Sequence, residues 1–172
     1  MKLNKLISYL FENVDETARN ILVKASDLDE DNKERLKQYI DAADEDPEFA
    51  GLDLVKGPER DNNRLAILDD KGIVVGFMTP RFDDRGYWRT GAIYIVPKAR
   101  GKRYAQRAIK EFFRDGSHQP ARVWISDNNN GSQGAFVGAG FKKGSPRAVG
   151  PGPDDQGHDY YLGEVDQSSI MV

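Results

Sequence analysis

Ala92-Ile93-Tyr94-Ile95-Val96-Pro97-Lys98-Ala99-Arg100-Gly101-Lys102-Arg103-Tyr104-Ala105 is the stretch that decides the fold. Its first five residues are apolar, aromatic and β-branched, which predicts a strand. Pro97 ends it, because proline has no N–H to give to a ladder. Gly101 lets backbone approach a ligand with no Cβ between them. Ala105, Ala108, Ile109, Phe112 and Phe113 then share one face at helical spacing, and Gly116 closes the helix. A helix start directs unpaired N–H groups and a partial positive charge back into the loop before it. Lys98, Arg100, Lys102, Arg103 and Arg107 reinforce that charge, so the loop is predicted to hold a phosphate or diphosphate.

The rest of the chain fits a mixed α/β domain around this unit. Ala18, Ile21, Leu22 and Ala25 predict an opening helix with Asp15 as its cap. Leu36, Tyr39, Ile40 and Ala43 predict a second, with Asp27 and Glu30 at capping-box spacing. Residues 1–10 read equally as strand or helix. Residues 44–63 are acidic and broken by Pro47, Gly51, Gly57 and Pro58, as a connection would be. Leu65–Leu68 and Ile73–Met78 flank the turn Asp69-Asp70-Lys71-Gly72 and predict a hairpin. Residues 86–96 contain a strand, strongest at Ala92–Val96; Arg122–Ser126 reads as another, Ser132–Val137 as a short helix, 144–157 as a loop, and His158–Leu162 as a last strand.

The chain has 172 residues and suits one domain, with opening helices over 1–45 and a core over 64–165. It has no cysteine, which excludes disulfide scaffolds and thiol nucleophiles, and its two histidines leave little for a metal site. The net charge of −3 argues against a general polyanion binder. Charge is unevenly spread: seven basic residues against Glu111 alone lie between Lys98 and Arg114, and ten carboxylates lie between Asp27 and Glu48. A basic cluster in an acidic chain points to a local anion site. No apolar run approaches the ~18 residues that cross a bilayer, so no membrane contact is expected and a cytoplasmic location is the default. A nucleic-acid surface is the weaker reading, because the aromatics near the basic residues sit at alternating strand positions that suit a core.

Two known phosphate loops do not fit. Walker A needs glycine where Val96 stands and Ser or Thr where Arg103 stands. Gly138-Ala139-Gly140 has the wrong spacing for a dinucleotide fingerprint and follows a helix. Arg100-Gly101-Lys102-Arg103-Tyr104-Ala105, after Ile95-Val96-Pro97, instead resembles the acetyl-CoA loop of the GNAT superfamily of N-acetyltransferases. That loop reads Arg/Gln-x-x-Gly-x-Gly/Ala, and Arg103 replaces its central glycine. Further on, Asn129, Ser132, Ala135-Phe136 and Gly140-Phe141 are similar to the family's Asn-x-x-Ala-x-x-Leu-Tyr-x-x-x-Gly-Phe.

The resemblance implies an α+β fold with a mostly antiparallel central sheet, splayed central strands and flanking helices. It implies acetyl-CoA as cosubstrate. Its pantetheine arm is expected along Ile95 and Val96, its diphosphate on Gly101, Lys102, Arg103, Tyr104 and Ala105 beside Arg100, and its far end near Asn129 and Ser132. The implied reaction is direct attack of a primary amine on the thioester in a ternary complex, with a backbone N–H near Val96 polarising the carbonyl. The acceptor is open among a small molecule, a peptide N-terminus, a lysine and an aminoacyl group. Phe136 stands where the family's proton-donating tyrosine falls, which leaves Tyr94, Tyr160, Tyr161, Ser132 or water as the acid. His158, with an ordinary pKa of ~6.5, is a candidate base; His118, in a turn, reads as solvent-exposed. The alternative is a catalytically silent acyl-CoA-binding or protein-interaction module on the same fold. Family members often pair, so a homodimer is one expected assembly.

Overall fold

The computed structural model describes residues 21–46, 62–152 and 155–163. The expectations for residues 1–10, for the Asp15 cap and for most of the acidic connection lie outside them. In chain order the elements are β1 (Leu22–Lys24), α1 (Glu30–Glu45), β2 (Leu65–Leu68), β3 (Val74–Met78), β4 (Arg81–Phe82), β5 (Trp88–Arg89), β6 (Ile93–Ile95), α2 (Tyr104–Phe113), β7 (Ala121–Ser126), α3 (Asn130–Gly138), β8 (Lys142–Ala148) and β9 (Gln156–Leu162). No helix among the described residues is long and apolar enough to cross a membrane.

The strands form two sheets, ordered β1-β2-β3-β6 and β4-β5-β7-β9-β8. Every pairing is antiparallel except β5 with β7, which are joined in parallel at Trp88 and Ala121. The stretch 86–96 holds the strand expected at Ala92–Val96, as β6, and a second short one before it, β5. Its first part, β5, belongs with β7, and its second part, β6, belongs with β3. Gly91 makes the break. It sits at φ +64°, and a Cβ there would lie 2.0 Å from the Thr79 carbonyl oxygen. Ala92 N–H turns to the Thr79 hydroxyl at 3.0 Å. β5 meets β7 at Trp88 and Ala121, whereas β6, which follows it in the chain, is the edge of the other sheet, so the two sheets part between β6 and β7.

One apolar core joins both sheets to the helices. Phe77, Ile67, Ile109 and Met78 are fully buried within it, and each such side chain contributes about 1.5–3 kcal/mol by leaving water. In α1, Leu36 and Ala43 are buried, as the periodicity predicts. Its cap is Asp29 and not Asp27: the Asp29 carboxylate accepts from Asn32 N–H at 2.8 Å.

Three sequence expectations are corrected. Leu22–Lys24, placed in an opening helix, is strand β1, because Leu22, Val23 and Lys24 pair with Ile67, Ala66 and Leu65. Lys142–Ala148 is strand β8, where a loop was expected from residue 144, and Pro146 is accommodated at a register shift on this outermost strand. His118 is half-buried: its ring stacks on Phe112 at 4.0 Å, and its Nδ1 lies 2.8 Å from the Phe112 carbonyl oxygen.

Candidate functional site

The loop into α2 is built around two residues in the left-handed region, Gly101 at φ +79° and Arg103 at φ +62°. Arg103 is the only non-glycine there among the described residues, and it is the residue that occupies the family's glycine position. An arginine thus adopts here the left-handed conformation that glycine favours. Arg103 caps α2 without a side-chain bond, so the amides of the first turn keep no partner within the helix. Lys102 and Arg103 are exposed around them. Successive amides in such a turn form a concave cradle for an anion.

Arg100 and Arg107 are engaged elsewhere. Arg100 Nε donates to the Ile95 carbonyl at 2.9 Å, its guanidinium approaches Asp46 at 3.7 Å, and it lies over the Tyr94 ring at 5.8 Å. It ties the loop to the end of β6. Arg107 bonds Asp70 in the β2–β3 turn at 2.9 Å and covers Tyr104. Tyr104 is buried, and burial pushes its phenol up. Tyr104 and Ala105 therefore face the cradle through their backbone.

Beside the cradle runs the edge of β6. Val96 N–H donates to the Val75 carbonyl at 3.0 Å, within the sheet. Val96 N–H is thus committed to the sheet, which leaves the adjacent Ile95 N–H as the group near Val96. In an antiparallel pair alternate residues turn opposite ways. Tyr94 and Val96 face β3, so the amides of Ile93 and Ile95 face the gap toward β7.

Across the gap, a polar network closes the end of β7. Asn129 caps α3 by accepting from Ser132 N–H at 3.0 Å. Gln133, one turn on, donates to the carbonyls of Ser126 and Asp127 and accepts from the Tyr160 hydroxyl at 3.3 Å. His158 Nδ1 lies 2.7 Å from the Asp127 carboxylate. Burial and the charge of Asp127 raise the Tyr160 phenol. Tyr160, His158, Asn129 and Ser132 are thus brought together, with Asp127 and Gln133 as partners that the sequence did not single out. No local pattern marks them, because the bonds that join them to His158 and Tyr160 span 31 and 27 residues. Tyr94 lies apart: it is buried, stacks on Phe77 at 5.7 Å, and has its phenol raised by burial. Phe136 is buried edge-on to Phe141 at 5.0 Å and offers no proton.

Comparison with known proteins agrees with this fold. The fold is similar to a GNAT-family acetyltransferase from Bacillus cereus, with a TM-score of 0.58 and 16% identity over 84% of this chain and 97% of that one. Ard1 from Thermoplasma volcanium gives 0.54 at 14% identity over 82% and 95%. A GNAT-family acetyltransferase from Bacillus anthracis gives 0.53 at 14% identity over 81% and 90%. No curated protein matches the sequence. The sequence profile of the acetyltransferase (GNAT) family matches residues 23–141, well over half of the chain, and the chain belongs to that family.

Proposed function

We propose that this chain is an N-acetyltransferase that carries acetyl from acetyl-CoA to a primary amine by direct attack in a ternary complex, within one domain. The observation that carries the reading is the juxtaposition of an amide cradle at the start of α2 with a strand edge, β6, that has lost its neighbour. In this reading the amides from Gly101 to Ala105 hold the diphosphate, helped by Lys102 and Arg103. Ile93 and Ile95 offer their N–H groups to the pantetheine arm as an adjoining strand would. Acetyl-CoA supplies the activated carbonyl and a thiolate leaving group. The amine nitrogen bonds to the carbonyl carbon, the C–S bond breaks, and one proton leaves nitrogen while another reaches sulfur.

Tyr160 suits the proton donor's role, because burial keeps its phenol protonated and the long bond that parks its O–H on Gln133 can be exchanged for one to sulfur. His158, oriented by Asp127, suits the acceptance of the amine's proton. The buried, hydroxyl-free Phe136 supports a second reading, a silent acyl-CoA-binding module. Thermal unfolding with CoA and thiol release with amines separate the two. At CoA 100-fold above Kd the expected stabilisation is about 2.7 kcal/mol, or roughly 5–10 °C. Lys102→Glu with Arg103→Glu should reduce it to less than about 1 °C; an unaltered shift would mean that the anion binds elsewhere. Stabilisation by CoA without thiol release from acetyl-CoA on any amine would favour the silent module.

A further inference from the structure

On the sheet face opposite α3, three strands each send one charged side chain into a single cluster. Arg122 of β7 and Arg147 of β8 both grip Asp159 of β9. Arg122 donates to its two oxygens at 3.2 and 2.9 Å, and Arg147 at 2.9 and 3.1 Å. Asp159 is only 2% exposed and receives two bonds on each oxygen, so its acceptor capacity is largely used. The guanidiniums are not used up, since each has five N–H donors and spends two here. The cluster holds two positive charges and one negative.

Tyr161 enters the same cluster. Its ring packs against Gly144, where a Cβ would lie 2.6 Å from it, and under the Arg122 guanidinium at 5.8 Å; Tyr87 covers the other side of that guanidinium at 6.0 Å. The Tyr161 hydroxyl is buried and has no hydrogen-bond partner, while the residue as a whole is 9% exposed. A buried hydroxyl without a partner is costly and rare in a native structure. A structural staple between three strands would use both guanidiniums but would leave no role for this hydroxyl or for the donors that Asp159 does not take. The Arg147 side chain, 40% exposed, gives the cluster its opening to solvent.

We propose that Arg147, Arg122 and Tyr161 bind a carboxylate, and that the acceptor amine carries that carboxylate. The ligand's oxygens would receive the unspent guanidinium donors and the Tyr161 hydroxyl, with Asp159 holding the two arginines in place. The location fits an acceptor. Arg122 follows Ala121, where β5 and β7 are joined, so the cluster lies at the closed end of the gap. This proposal rests on the acetyltransferase reading for the identity of its ligand, though not for its binding.

Titration calorimetry on the full chain at constant ionic strength would compare N-acetylglycine with neutral N-acetylglycinamide, and thiol release would compare glycylglycine with glycylglycinamide. The carboxylate member of each pair should be favoured at least tenfold, in Kd and in kcat/KM. Arg147→Ala and Tyr161→Phe should each reduce the ratio below twofold. Tyr161→Phe removes the orphaned hydroxyl, so its thermal midpoint should equal or exceed that of the parent, and it keeps the test valid if Arg147→Ala unfolds. Equal affinities, or a preference that survives both variants, would overturn the site. Carboxylate-selective binding with no turnover of any amine would sink the enzymatic reading and leave the site standing. Turnover without carboxylate preference would do the reverse.

Discussion

Arg103 shows how a single side chain can depart from a pattern while its backbone adopts the conformation that glycine favours. At φ +62° an L-residue with a Cβ is strained by roughly 1–2 kcal/mol. Glycine would remove that strain but lose about 0.5–1 kcal/mol through its greater freedom in the unfolded chain. Arg103→Gly should therefore stay within about 1 kcal/mol of the parent in thermal unfolding. Arg103→Val should cost about 1–2 kcal/mol more, because β-branching suits this region worst. Gly91→Ala should be harsher than either, above about 2 kcal/mol, since strain adds to a clash with the Thr79 carbonyl. If Gly91→Ala melts with the parent, Gly91 is not the pivot between the sheets. The Arg103 substitution was visible in the sequence, but its consequence was not, because nothing local says whether a turn will bend to its residue or bend the residue.

Elements were legible where periodicity and punctuation agreed. The apolar faces of α1 and α2 were readable from Leu36 to Ala43 and from Ala108 to Phe113, whereas α3, read from Ser132, begins two residues earlier behind its cap Asn129. Asn129→Ala should cost about 1 kcal/mol by freeing Ser132 N–H, measured by chemical denaturation at an unchanged m-value. The misread elements were those decided by distant partners. Ile21, Leu22 and Ala25 match a helical spacing, yet Leu22–Lys24 is taken up by β2, forty residues on. Gly144 and Pro146 are loop formers by local rule, yet β8 sits at a sheet edge that tolerates both. At the site the cradle was legible because it is contiguous in sequence. The Tyr160–Gln133 and His158–Asp127 bonds, and the Arg122–Asp159–Arg147 cluster, exist only once strands are paired.

Across the whole molecule, Asp159 links three strands of one sheet, and its titration should be felt in global stability. Burial pushes its carboxyl up, but the bonds and charges of Arg147 and Arg122 prevail and hold it below its ordinary value of 3.8. A depressed folded pKa gives stability that is fully present above the unfolded value and is lost as pH falls through the folded one. Asp159→Asn should lower stability by about 3 kcal/mol at neutral pH, since it strands two guanidiniums. The gap between variant and parent should narrow below about pH 4 in thermal melts; a gap independent of pH would mean that Asp159 acts by packing alone. The split between β5 and β6 has a kinetic consequence as well. Because the parting is enforced by the covalent chain at Gly91, with Thr79 wedged against it, the mouth stands ajar before anything arrives. Mixing with CoA in a stopped-flow instrument should then give a single phase whose rate climbs in proportion to concentration, with no plateau from a preceding opening step.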